Sequence, residues 1–262
     1  MDAPGLIDSH CHLTDPAFDP DREAVLARAR EAGVGAFIVI GATGEFEHNV
    51  KAVELAGRHR DVFAVVGVHP HDVPGASDET YVRLRALAEN ERVVGLGETG
   101  LDFHYRHSPQ ETQRAHFRRH IHLAGELGLP LCLHVRDAYP EAIRLLAQEG
   151  VRGLRAVAHC FTGSRADAAG LLDMGLYLSF TGIVTFKNAH ELRAVVRDAP
   201  LERMLVETDC PLLAPAPYRG RRNEPAFLRH VTDKIAEIKG TTPAEIARAT
   251  GRNARELFAL GP

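Results

Sequence analysis

Short unbroken apolar runs alternate along the chain with longer stretches in which apolar positions recur every three or four residues. Runs at 6–12, 36–40, 62–67, 93–97, 130–133, 155–158, 176–180 and 204–206 read as strands. Most are continuous rather than alternating, as expected of parallel strands covered on both faces. Between them the spacing predicts helices: one from an Asp19 N-cap with Pro20 at its first position to a stop at Gly33, then 45–58, 78–90, 110–127 stopping at Gly128, 140–148 and 166–174. The seventh run opens into a turn at Thr181-Gly182, and the eighth is followed by a loop rich in Pro, Gly and Arg over 211–225. A helix over 226–239 follows. The tail carries the capping box Thr242-Pro243-Ala244-Glu245 and reads as two short helices split at Gly251 that cover the rest of the fold; its superficial likeness to a helix-turn-helix carries little weight.

Parallel strands need helical crossovers, and eight of them close a sheet without edges, so this rhythm predicts an α/β fold, a (β/α)8 TIM barrel. Length agrees: 262 residues with 45% hydrophobic content suit one barrel, and residues 1–262 read as a single domain of metal-dependent hydrolase type. Such barrels carry their chemistry at the C-terminal ends of the strands. There the chain places His10 and His12, His69 and His71, Glu98, His134, His159 and Asp209. Six of its fifteen histidines therefore fall where strands stop, which is too many to read as isolated surface residues.

Alternate residues of a strand share a face, so His10 and His12 can grip one cation. Four imidazoles and two carboxylates exceed what one tetrahedral ion needs, and a pair of divalent ions (Zn, Mg or Mn) is the economical reading. One ion would take His10, His12 and Asp209, the other His134 and His159, with Glu98 as the bridge. Such a pair lowers the pKa of a shared water and stabilises attacking and leaving oxygens together. Asp209 and Glu98 are the candidate catalytic carboxylates, Asp209 as the group that orients the water or takes its proton. Asp8 and Glu207 are candidates to hold the ligands in place. Arg219, Arg221, Arg222 and Asn223 lie after strand eight, where barrels often bind phosphate, and Arg136 follows a ligand histidine; planar guanidinium suits phosphate oxygens. Phe103, Tyr105, Phe161 and Phe186 are candidates to stack on unpaired bases, with core packing equally open for Phe161 and Phe186.

A formal charge of −4 excludes a generally basic surface, so any nucleic-acid contact must be local. Cys11, Cys132, Cys160 and Cys210 form no CxxC pair; they read as free thiols in a reducing compartment, and Cys11, Cys160 and Cys210 as packing residues facing the helices. No secretory leader and no apolar run near the ~20 residues of a membrane span are evident, so a cytoplasmic protein with no membrane contact and no obligate protein partner is expected.

The blocks Ile7-Asp8-Ser9-His10-Cys11-His12-Leu13, Gly67-Val68-His69-Pro70-His71, Gly97-Glu98-Thr99-Gly100-Leu101-Asp102-Phe103, His134-Val135-Arg136-Asp137-Ala138, His159-Cys160-Phe161-Thr162-Gly163, Val206-Glu207-Thr208-Asp209-Cys210-Pro211 and Arg222-Asn223-Glu224-Pro225 together resemble the TatD family of metal-dependent deoxyribonucleases, within the amidohydrolase superfamily. The resemblance runs from first strand to last helix. It implies that His10, His12, Glu98, His134, His159 and Asp209 are metal ligands and that His69 lies near a substrate phosphate. It implies, too, a DNA substrate, single-stranded or at 3′ ends, a 3′–5′ exonuclease action, cleavage at abasic sites and a place in DNA repair. Val135 stands where a serine or threonine is frequent and Phe103 where a tyrosine is, neither at a ligand. A hydrolase of small amides, esters or aminoacyl-RNA would use the same ligands, and a noncatalytic nucleic-acid-binding module is a third reading.

Overall fold

Each apolar run becomes a strand: β1 Leu6–Cys11, β2 Val34–Ile40, β3 Val62–Val66, β4 Val93–Asp102, β5 Leu131–Arg136, β6 Ala156–Ala158, β7 Tyr177–Phe180 and β8 Met204–Val206. The computed structural model describes residues 5–150 and 153–261. All neighbouring strands pair in parallel, in the order β1 to β8. At the C-terminal end the sheet is closed on itself: the Asp209 N–H donates to the His10 carbonyl and the His12 N–H to the Cys210 carbonyl, both at 2.9 Å. The Ser9 hydroxyl adds a 3.0 Å bond to the Val206 carbonyl. The two ends of the sequence-predicted ligand set, His10/His12 and Asp209, are thus held by the closure itself.

The crossovers are α1 Arg22–Glu31, α2 Glu47–Arg58, α3 Asp78–Ala88, α4 Gln110–Leu127, α5 Tyr139–Glu149, α6 Arg165–Asp173 and α7 His190–Asp198, followed by α8 Leu228–Lys239 and α9 Pro243–Phe258. The continuous strands divide their residues between two layers. Phe37 and Val39 pack outward against the helices, whereas Ile38 and Ile40 join Ile7, Val65, Val157 and Leu205 inside the barrel. Full burial of such a side chain stabilises by roughly 1.5–3 kcal/mol. Leu257 and Phe258 at the end of α9 belong to this inner cluster, so the tail stoppers the barrel at the end away from the site. Among the described residues no helix is long and apolar enough to cross a membrane.

Two local expectations are corrected, and one helix is added. Asp19 does not cap α1: Pro16–Phe18 forms a 3-10 turn, the Asp19 N–H closes it on the Pro16 carbonyl, and the helix starts at Arg22 behind Asp21. The tail is one helix through Gly251 rather than two, because Ile246, Ala249, Thr250, Asn253, Ala254 and Leu257 form one buried stripe. That burial outweighs the roughly 1 kcal/mol a mid-helix glycine costs relative to alanine. Finally, α7 lies between the seventh and eighth strands, burying Leu192, Val195 and Val196.

Candidate metal centre at the barrel mouth

The backbone around Glu98 is set by two glycines. Gly97 and Gly100 have φ of +137° and +143°, and a Cβ on either would collide with the carbonyl oxygen of Cys132 or His134 on β5. Only glycine lets the strands approach so closely, and the pair brackets Glu98. Neighbouring strand ends are fastened by buried amides and an imidazole from the helices. Asn49 on α2 pairs with both the N–H and the carbonyl of Gly67 (2.9 and 3.0 Å), Gln113 on α4 does the same for Asp102 (2.7 and 3.0 Å), and the His120 ring accepts the Val68 N–H at 3.2 Å. These bonds fix the ends of β3 and β4, which carry His69 and Asp102.

Glu98 lies at the centre, 3% exposed, and its two oxygens face different groups. Oε2 is 3.5 Å from His10 Nε2 and 3.9 Å from His12 Nε2, and Asp209 Oδ1 is 3.6 and 3.2 Å from the same two nitrogens. Oε1 is 2.6 Å from His134 Nδ1, 2.7 Å from His159 Nε2 and 3.6 Å from His69 Nε2. The arrangement is two donor groups that share one carboxylate, as a bridging ligand requires. It brings together all six residues expected to bind metal.

The far nitrogens decide which lone pairs point inward. His10 Nδ1 is 3.2 Å from the Cys132 thiol and His134 Nε2 is 3.1 Å from Asp102 Oδ2, whereas His159 Nδ1 lies 3.4 Å from Glu207 Oε1 without forming a hydrogen bond. A proton on the far nitrogens of His10 and His134 leaves their inner nitrogens unprotonated, the form that binds a cation. His69 differs. Its Nδ1 accepts the His71 N–H at 3.1 Å, so its proton sits on Nε2, and that N–H points at the Glu98 and His134 side. His69 is therefore a donor in this site and not a fifth inward lone pair.

Two observations fit the residues to divalent cations. His10 Nε2 and His12 Nε2 stand 3.2 Å apart and both face Glu98 Oε2 and Asp209 Oδ1, so two imidazoles and two carboxylates converge on one point. In addition, His12 Nδ1 and His159 Nδ1 are buried with no hydrogen-bond partner among the described residues, so no such contact governs the orientation of either ring. The mixed imidazole and carboxylate set suits zinc and other first-row divalent ions.

Electrostatics agree with an ionised centre. Burial works against the charge on Glu98, but the surrounding His159, His69, His10 and His134 rings outweigh it and hold the carboxyl well below its usual range. Asp209 is likewise lowered, burial being overcome by His12 and His10. Burial, aided by the neighbouring His134, His71 and His159 rings and opposed by Glu98, drives His69 well below an ordinary histidine, which keeps it neutral. Asp8 goes the other way: burial lifts it to about 7 despite two bonds from Thr208.

The supporting residues fall close to where the sequence suggested. Glu207 Oε1 accepts the Cys160 N–H (2.5 Å) and lies 3.4 Å from His159 Nδ1, and Asp8 accepts from the N–H and hydroxyl of Thr208 (2.9 and 2.6 Å), fixing the residue before Asp209. Cys11 donates to the Ile38 carbonyl at 3.4 Å and packs outward. Arg222 and Asn223 call for correction as substrate contacts. The two terminal nitrogens of the Arg222 guanidinium donate to the two Asp21 carboxylate oxygens (2.8 Å each), and one of them also donates to the Ala17 carbonyl at 2.6 Å. Asn223 is buried, its amide donating to the Thr208 and Leu212 carbonyls. Both shape the loop after β8. Arg136 is exposed, with its guanidinium 4.7 Å above the Tyr105 ring.

Asp102 and Cys132 are functional candidates that strand-end reading missed. Asp102 is fully buried and accepts from His71 Nε2 at 2.8 Å, from His134 Nε2 at 3.1 Å, and from the N–H groups of His104 and Tyr105 at 2.9 Å each. Its signal was its place four residues after Glu98, on the same face of a strand longer than its apolar run.

A family model described as TatD related DNase matches residues 7–259. The chain belongs to that family. Among TatD relatives, the metal-dependent hydrolase YabD of Bacillus subtilis is 40% identical over 257 residues, covering 97% of this chain and 99% of YabD. The 3′-5′ ssDNA/RNA exonuclease TatD of Cronobacter sakazakii is 40% identical over 258 residues, covering 97% of each. In three dimensions the TatD homologue YjjV of Escherichia coli superposes with a TM-score of 0.91 at 31% identity, over 98% of both chains. The protein is thus a TatD-family metal-dependent hydrolase with a TIM-barrel fold.

Proposed function

We propose that the protein is a nuclease that shortens single-stranded DNA from its 3′ end by hydrolysing phosphodiester bonds, using two divalent cations that share Glu98. The observation that carries this reading is the division of the two Glu98 oxygens between separate donor groups, His10/His12/Asp209 and His134/His159, at one barrel mouth. The exonuclease names of TatD relatives 40% identical support the substrate class. Cations held there would lower the pKa of a water and offset charge on the phosphoryl oxygens.

The chain's own groups supply the rest. Asp209 is the group that accepts the proton of the attacking water, being ionised and at the end of the strand that faces His12. His69, neutral and with its proton on Nε2, donates to a non-bridging phosphate oxygen. Arg136 binds a neighbouring phosphate, and Tyr105, 52% exposed beneath it, offers a face for an unpaired base. Asp8 and Glu207 keep Asp209 and His159 in register. Residues 1–262 act together as one domain.

The test is cleavage of a 5′-labelled single-stranded oligonucleotide by protein stripped of metal and resupplied separately with zinc, manganese or magnesium. A ladder shortening from the 3′ end, lost in Asp209→Asn, is expected. Metal-loaded protein that cleaves no nucleic acid yet hydrolyses small esters or amides would overturn the reading.

A further inference from the structure

The loops after β7 and β8 enclose a groove of about 520 Å³ between Phe186, Lys187, Ala216, Pro217 and Arg219. It is built rather than incidental. Arg193 on α7 donates to the carbonyls of Phe186 (2.7 Å) and Lys187 (3.0 Å), holding that wall from behind. The opposite wall is tied to it by the Ala216 N–H, which donates to the Thr185 hydroxyl at 2.9 Å, and is pinned by Tyr218, whose ring stacks on Phe227 at 4.1 Å. The Arg219 guanidinium lies 4.0 Å over the Phe186 ring, and Lys187 is exposed beside it. No ion pair engages Lys187 or Arg219 among the described residues, and no carboxylate lines the groove.

We infer that this groove is a second nucleotide subsite, which binds one unpaired nucleotide of the substrate strand beyond the residue being cleaved. The inference rests on the nuclease reading and extends it. The ligand follows from the chemistry of the walls. Two cations without an ion-pair partner suit the two phosphodiesters that flank one nucleotide, and an aromatic face that already carries a guanidinium suits a nucleobase. The volume falls within the ~300–1,000 Å³ of pockets that take small molecules. Position agrees, because the loop that forms one wall leaves β8 directly after Asp209, and the Leu212 N–H is bonded back to the Asp209 carbonyl at 3.0 Å. A base held in a groove between two loops must be out of a duplex, so the subsite favours single strands.

The experiment measures binding of fluorescent, phosphorothioate-linked oligothymidylates of increasing length to the zinc-loaded protein at several salt concentrations. Wild-type affinity should rise with length. The double variant Lys187→Ala, Arg219→Ala should lose about tenfold on the longer oligomers, and its salt slope should be shallower by about 1.4, two single-strand phosphates' worth. Phe186→Leu should lose affinity with an unchanged slope, separating base stacking from charge. Melting temperature and zinc content should match wild type in all variants. Wild-type affinity and slope in the double variant would overturn the subsite and leave the nuclease reading standing. A loss accompanied by lower melting temperature or zinc content would also overturn it, since the residues would then act on the fold. Wild-type protein that binds no oligothymidylate at all would overturn both.

Discussion

Replacing Asp102 by asparagine tests how the second donor group is set. The change is nearly isosteric, and Oδ1 can keep its two bonds from the His104 and Tyr105 N–H groups. What changes is Oδ2. It accepts from His71 Nε2 at 2.8 Å and from His134 Nε2 at 3.1 Å, and an amide there offers N–H where both rings require an acceptor. For His134 the remedy is to move its proton to Nδ1, which lies 2.6 Å from Glu98 Oε1. The inward lone pair is then gone. Bonds to a charged acceptor contribute about 1.5–3 kcal/mol each, and loss of an outer partner of a ligating histidine lowers metal affinity about 10–100-fold. Asp102→Asn should therefore retain one ion with wild-type affinity and hold the other about 10–100-fold more weakly. Competition with a coloured chelator reads the two affinities separately. Two wild-type affinities in the variant, with intact folding by circular dichroism, would refute the tautomer reasoning.

Further outcomes follow from other contacts. His120 donates from Nδ1 to the His116 carbonyl and accepts the Val68 N–H on Nε2, so its neutral ring is fully bonded, and burial lowers its pKa from 6.5 to about 4. The folded state then binds fewer protons than the unfolded one below pH 6.5: stability is complete above that value and falls by up to about 3 kcal/mol as pH drops to about 4. Urea unfolding of wild type and His120→Gln across this window should show the wild-type loss and a flatter variant; parallel curves would contradict it. Phe258→Ala should cost about 3–5 kcal/mol by emptying the barrel's lower stopper, and a loss below about 1 kcal/mol in urea unfolding would contradict that packing. Arg136→Ala should make the salt slope of single-strand binding shallower by about 0.7, whereas Arg222→Ala, whose guanidinium is already committed to Asp21, should leave it unchanged. The reverse pattern would return substrate contact to Arg222.

The barrel was legible because continuous apolar runs mark doubly covered strands, and the site because barrel chemistry gathers where those runs stop. That rule reaches only as far as the apolar run does. In β4 the run ends at Gly97, but the strand continues to Asp102, because Gly97 and Gly100 let it ride against β5. Asp102, five residues beyond the end of the run, was consequently not singled out. Arg222 was misread for the opposite reason: residue type indicated phosphate, and only the fold brings Asp21, two hundred residues away in sequence, against it. The start of α1 and the unity of α9 depended on a 3-10 turn and on tertiary burial, neither of which local propensity contains. The period of α7, by contrast, is present as Leu192, Val195 and Val196, but the helix is only nine residues long.

Counting and coupling the ions would test the shared carboxylate most directly. Protein reconstituted with manganese should hold two ions per chain with an exchange-coupled paramagnetic resonance spectrum, and Glu98→Gln should abolish the coupling together with strand cleavage. A single ion per chain, or two that remain magnetically independent in the wild type, would contradict the account.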